Sequence, residues 1–261
     1  MGNIDPLYLL DGLVPLAVSV FLVFLWRMRR GFKWITLLYA LMAYGGAIAM
    51  KYAVQIPTIS SVINLYGNPS IELAIYYGLQ TSVLEVGGAY LVARYAFSRG
   101  DLDRTDCKSY GISLSFWENG ILLGLLTFIS LLTDYIILGS GGSLSRIVYR
   151  SLMDYSPALF YSPSRAWFPV LLSVMERISS MQAHIAWGIL TLLSASTGKK
   201  PYLYVALPMG MIDALVPYSS IIGVVYFEVL VFLISTAFLL IALILEARYM
   251  DQSRRIEPAH N

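Results

Sequence analysis

Residues 84–91, Leu84-Glu85-Val86-Gly87-Gly88-Ala89-Tyr90-Leu91, put a carboxylate in the middle of a run, Ile71 to Phe97, that is otherwise apolar enough to cross a bilayer. A lone charge at bilayer depth costs roughly 2.5 to 3.5 kcal/mol on insertion scales, so a helix that carries one turns it toward protein rather than lipid. The small residues that follow let a second helix approach that face closely. The pattern recurs along the chain: Glu118 lies inside Tyr110 to Leu138, Glu176 and Arg177 inside Trp167 to Ala195, and Asp213 inside Tyr202 to Val216. Counted from the span ends at about 1.5 Å per residue, the four acids lie about 14 to 18 Å deep. Four helices that each bury an acid in one depth band predict a shared polar hollow.

The composition agrees. In 261 residues, 57% are hydrophobic and 13% charged, against a soluble norm of about 25% charged. The expected location is the cell membrane, multi-pass, with the lipid bilayer as the first partner. A single cysteine, Cys107, excludes an internal disulfide, and with only His184 and His260 beside it the chain has few ligands for an ordinary zinc site. Neither a metal nor a cofactor is expected on these grounds. Scarce Cys, Gln and Asn with many Tyr and Arg point to a thermophilic source.

Seven apolar segments are long enough to cross a core of about 30 Å. They run Leu7 to Leu25, Trp34 to Ala53, Ile71 to Phe97, Tyr110 to Leu138, Trp167 to Ala195, Tyr202 to Val216 and Ile221 to Ala247. The expected fold is all-α, a polytopic membrane helix bundle of about seven transmembrane helices, forming a single domain over residues 1–261. Pro201, Pro208 and Pro217 predict a broken or kinked sixth helix. The first run is preceded by no basic residue and followed by a basic cluster, so it is expected to stay as an anchor.

Basic residues set the topology. Arg27, Arg29, Arg30 and Lys33 follow span one; Arg99, Arg104 and Lys108 follow span three; Lys199 and Lys200 follow span five; Arg248, Arg254 and Arg255 follow span seven. All four clusters fall on one side, which predicts an outside N-terminus and a cytoplasmic C-terminus. Trp26, Trp34, Trp167 and Tyr249 fit interfacial anchors. On the other side, the loop Gly139 to Ala166 reads either as a short helix on the outer surface or as an ordered loop. Asp11, Asp134 and Glu228 lie near outer span ends and are expected to be solvated, and Glu246 with Arg248 to meet the cytoplasmic interface.

Glu85, Glu118 and Asp213 are therefore the candidate site, with Glu176, Arg177 and His184 in support. Glu176 beside Arg177 reads equally well as a structural ion pair, and His184 as a hydrogen-bonded core residue.

At these residues the chain resembles the YhfC family of glutamic intramembrane proteases, relatives of the CAAX-processing membrane endopeptidases. Leu84 to Leu91 is similar to the family's F-E-E-x-G-R-Y-L helix, and Trp117-Glu118-Asn119-Gly120-Ile121-Leu122 to its G-H-G-G-x-E-A-I-L helix. Glu176-Arg177-Ile178-Ser179 resembles its E-R-I-x-A segment, and Pro208-Met209-Gly210-Met211-Ile212-Asp213 its L-L-H-A-L-x-N/D segment. The resemblance implies that Glu85 activates water, that a histidine on the next helix helps hold it, and that a second histidine with Asn or Asp steadies the oxyanion. Here Val86 replaces the second acid, Ala89 the arginine, Leu114 the first histidine and Met209 the second. Losing an oxyanion donor costs about 10²- to 10³-fold, and an ionised Asp213 alone would repel the developing charge.

These losses lead to an expectation of a protease-like bundle without catalysis, a scaffold or conduit among other membrane subunits of a transport or import apparatus, with archaeal DNA import as one setting. An active glutamic intramembrane protease and a proton- or cation-coupled carrier are the alternatives. Direct nucleic-acid binding by this chain is not expected, since phosphate recognition rests on Lys and Arg and the hollow is acidic.

Overall fold

The computed structural model describes residues 3–256. The side chains of Arg29, Arg30, Arg254 and Arg255 and all of His260 lie outside the described residues.

The described chain is helical from end to end. A short turn, Pro6–Leu9, leads into α1 (Leu10–Arg30), followed by α2 (Ile35–Tyr66), α3 (residues 71–98), α4 (residues 107–140), α5 (Gly142–Tyr155), α6 (Pro163–Thr197), α7 (residues 200–222) and α8 (Val224–Ile256). Seven of these are long, and α5 is the short surface helix that was one of two readings of the loop between Gly139 and Ala166. It is amphipathic, with Leu144 and Ile147 exposed and Val148, Tyr149 and Leu152 turned onto a small core of Ile4, Tyr8, Leu138, Ala166 and Val170.

Length and apolarity qualify five stretches for crossing a membrane: Pro6–Met28, Ile35–Tyr66, Arg104–Ser140, Lys200–Ile222 and Val224–Gln252. The other two long helices, α3 and α6, carry Glu85 and the Glu176, Arg177 and His184 set. Helix α6 is central, touching α1, α3, α4, α7 and α8. Its residues 186–195 are buried without a break, since it has protein on all sides. The outward faces of the surrounding helices present Phe21, Phe24, Ile56, Leu91, Tyr226 and Leu233 to lipid.

Glycines bring the helices together. A Cβ on Gly111 would come within 2.5 Å of the Ile185 carbonyl oxygen, and one on Gly188 within 2.5 Å of Gly111 Cα, so α4 and α6 meet backbone to backbone. Gly210 likewise lies against the backbone of Ser82, which sets α7 on α3. These are the close approaches that small residues permit between membrane helices.

Helix α7 is not regular. After Lys200–Ala206 it tightens into 3₁₀ turns over Leu207–Tyr218, where Pro208 and Pro217 have no N–H to give, and the expected break in the sixth span is this change of pitch. Helices α3 and α4 depart the opposite way. Each widens into π turns, over Thr81–Val86 and Phe116–Leu125, and these stretches carry Glu85 and Glu118.

The basic loops gather at one end. Lys33 Nζ is 2.6 Å from Asp106 and 2.9 Å from Asp103, Lys108 is 2.8 Å from Glu246, and Lys199 lies over the Tyr249 ring at 5.1 Å. Burial disfavours the charge on Asp103, yet hydrogen bonds from Thr105 and Lys33 hold its carboxyl below the usual range. Two expectations are corrected here. Glu246 is buried and pairs across helices with Lys108 of α4, so its carboxylate is met by protein rather than by the interface. Glu228 is also buried, at 6% exposure, since α8 begins only at Val224 and its first turns pack against the bundle.

Candidate active site

Three helices bring an ionisable group to one point. Glu85 on α3 and His184 on α6 are both nine-tenths or more buried, and Glu118 on α4 reaches between them. His184 Nε2 lies 3.3 Å from Glu85 Oε2 and in direct contact with Glu118 Oε2. One ligand atom from each of the three residues falls within 4.8 Å of the others.

Local structure explains the convergence. In a wide turn each residue advances the helix by less than the usual 100°, so the two π segments shift the register of α3 and α4 just where the glutamates sit. On α6, His184 is held from both sides: its ring stacks edge-on to Trp187 at 4.2 Å and to Tyr44 at 5.9 Å. Its Nδ1 is 2.9 Å from the Ser180 carbonyl oxygen. A carbonyl only accepts, so Nδ1 carries a hydrogen and donates it, which directs Nε2 at the two carboxylates. Ser180 also donates to Glu118 Oε1 at 3.3 Å.

The other oxygen of Glu85 belongs to a residue that sequence reading passed over. Lys51 on α2 donates to Glu85 Oε1 and, at 2.7 Å, to Thr81 Oγ1, and lies 3.5 Å from Asp213 Oδ2. Thr81 in turn donates to Asp213 Oδ2. The Asp213 side chain keeps 38% of its surface accessible, toward a cavity rather than into packing. That cavity, about 230 Å³, is walled by Lys51, Glu85, Glu118, His184, Tyr44 and Asp213. A second cavity of about 160 Å³ shares the Glu118, Ser180, Ile212 and Asp213 wall and extends to Arg177, Glu176 and Phe227.

The structure thus gathers Glu85, Glu118, His184 and Asp213 around one cavity, and sets Glu176 and Arg177, paired with each other, around the adjoining one. The four positions at which the chain departs from the glutamic-protease motif, Val86, Ala89, Leu114 and Met209, all belong to one hydrophobic core cluster and line neither cavity. The imidazole reaches the centre from α6 instead. Lys51 left a signal only in the length of α2: the helix continues to Tyr66, so the lysine is mid-helix and not at a membrane surface.

The donor set is that of a metal site as much as of an acid–base pair. Two carboxylates and one imidazole suit zinc and other divalent first-row ions. Glu118 Oε2 is buried with no hydrogen bond, although it touches Nε2. With His184 neutral, three carboxylates against one ammonium leave two negative charges uncompensated, and an Nε2 lone pair would face two anions. A divalent cation between these atoms relieves both problems, and so do protons on the imidazole and one acid. The residues present therefore fit a metal, and the hydrogen bond from Nδ1–H to a carbonyl is the usual outer support of a metal-binding histidine.

The fold and this centre define an integral membrane bundle with a buried carboxylate–imidazole site. A family model for YhfC intramembrane metalloproteases matches residues 13–235, and the chain belongs to that family. No curated protein and no solved structure matches it.

Proposed function

We propose that this protein hydrolyses a peptide bond within the membrane, at the cavity between α2, α3, α4, α6 and α7. The observation that carries the reading is the meeting of Glu85, Glu118 and His184 in a buried cavity, which supplies the imidazole that Leu114 and Met209 do not.

Glu85 accepts the proton of the attacking water. Its Oε1 is fixed by Lys51, so Oε2 faces the cavity and His184. The water oxygen adds to the carbonyl carbon, the carbon–nitrogen bond breaks, and the proton taken by Glu85 passes to the leaving amine. Glu118 and His184 orient the water, with Ser180 fixing both. Glu118 and His184 would hold a metal, with Glu85 beside them as the base, and a metal bound there would supply an acidified water and a polarised carbonyl. Hydrophobic walls from Tyr44, Leu122 and Trp187 limit bulk water at the reacting bond.

The test uses full-length protein in nanodiscs, a quenched fluorogenic peptide with one apolar span, and elemental analysis. Cleavage by wild type, lost about 10²- to 10⁴-fold in Glu85→Gln, is expected. Divalent metal at about one per chain, lost in His184→Ala, is expected with it. Wild-type protein that cleaves no span peptide with any divalent metal supplied would remove the reading.

A second reading has one observation in its favour. Lys51 already neutralises Glu85, and the Glu85–Lys51–Asp213 network ties α2, α3 and α7 together, as charges inside membrane bundles do when they pair with one another. In that case the bundle serves as a scaffold or conduit among other subunits, and Glu85→Gln lowers thermal stability with no activity to lose.

A further inference from the structure

Proteolysis needs positive charge or hydrogen-bond donors where the carbonyl oxygen becomes an anion. The motif position for the histidine donor holds Met209, which lies in the core. The wall of the cavity beside Glu85 nevertheless contains an ammonium, that of Lys51.

We propose that Lys51 is the oxyanion-stabilising residue of this site, donating to the carbonyl oxygen of a substrate bound between Glu85 and Asp213. This rests on the hydrolytic reading above. An ammonium has three N–H donors, and two are engaged, by Glu85 Oε1 and Thr81 Oγ1. The third makes no hydrogen bond among the described residues, and Asp213 Oδ2 at 3.5 Å holds it only by charge. Those contacts fix Nζ at the cavity wall, beside the carboxylate that accepts the water proton, while the imidazole stands on the far side of Glu85. A carbonyl presented to Glu85 therefore has its oxygen within reach of the unengaged donor.

The arrangement also offsets part of the repulsion expected of Asp213. Thr81 donates to Asp213 Oδ2 and the Lys51 ammonium lies 3.5 Å from the same oxygen, so the acid stands beside a cation and does not face the developing anion alone. The ligand class that follows is a tetrahedral, anionic mimic of a hydrated peptide bond within an apolar segment.

Two single-span peptides separate this role from a structural one: one with an ordinary amide at its centre, the other with a phosphinate in its place. Binding to full-length protein in nanodiscs is measured for wild type, Lys51→Met, and Lys51→Cys alkylated with 2-bromoethylamine to restore an ammonium. Lys51→Met is expected to weaken phosphinate binding about 10²- to 10³-fold, to leave amide binding within about twofold, and to recover on alkylation. Metal content should not change, which separates failure here from failure of the metal-holding residues. Equal loss for both peptides, no loss for either, or no phosphinate binding by wild type would each overturn the assignment.

Discussion

Thr81 shows how much one hydroxyl does at this depth. It accepts from Lys51 and donates to Asp213, so among the described residues it is the uncharged group that joins the two charges. Replacing it with valine keeps the shape and deletes both bonds. With a buried polar group left unmatched, Thr81→Val is expected to cost about 1–3 kcal/mol. Thr81→Ser, which retains the hydroxyl, should restore most of that, and thermal unfolding of the two variants in one detergent is the check. A Thr81→Val variant as stable as wild type would mean that Lys51 and Asp213 are held by packing alone. Residues of this kind are hard to read from sequence, because a threonine in an apolar helix commonly bonds its own backbone.

At the scale of elements, the contact between α4 and α6 is the one on which the site's geometry depends. Gly111 lies five residues before the wide turns that carry Glu118, and Gly188, which it meets, four residues after His184. Gly111→Ala would place a methyl 2.5 Å from the Ile185 carbonyl oxygen, forcing the helices apart at a cost of about 1–3 kcal/mol. Gly46→Ala, where a Cβ meets nothing within 4 Å, is the matched control and should be neutral. Equal melting temperatures for the two variants would show that the α4–α6 contact is slack.

Much of this level was legible in advance. Apolar runs located all seven long helices, and the four acids of one depth band did mark the helices that share the polar hollow. The misreadings share a cause. An apolar window that closes at Ala53 puts Lys51 two residues from a membrane surface, where a lysine needs no explanation. The helix in fact runs on through Gln55, Pro57, Thr58, Ser60 and Ser61, residues that lower hydropathy without ending the helix. His184 was visible as a buried histidine, but its meeting with Glu85 and Glu118 depends on wide turns in the helices that carry the glutamates, and no periodicity count contains them.

For the whole molecule, the gathering of basic loops at one end makes the sidedness testable. The four clusters predict that this end faces the cytoplasm. Cys107 is buried and contributes no labelling background, so introduced cysteines report cleanly. In intact cells, Ser98→Cys and Lys200→Cys are expected to resist an impermeant maleimide until the membrane is opened, whereas Tyr155→Cys, 87% exposed at the other end, should react at once. Reaction of Ser98→Cys and Lys200→Cys from different sides would dismantle the bundle as described.

The wide turns at Thr81–Val86 and Phe116–Leu125 bear on how such a centre can be gained or lost. Removing one residue from either stretch would let it wind back into an ordinary helix and swing its glutamate by about 100°, with every named side chain still encoded. Whether this lineage keeps its chemistry is therefore written partly as a tally of codons, and a comparison that scores only residue identity would overlook the change.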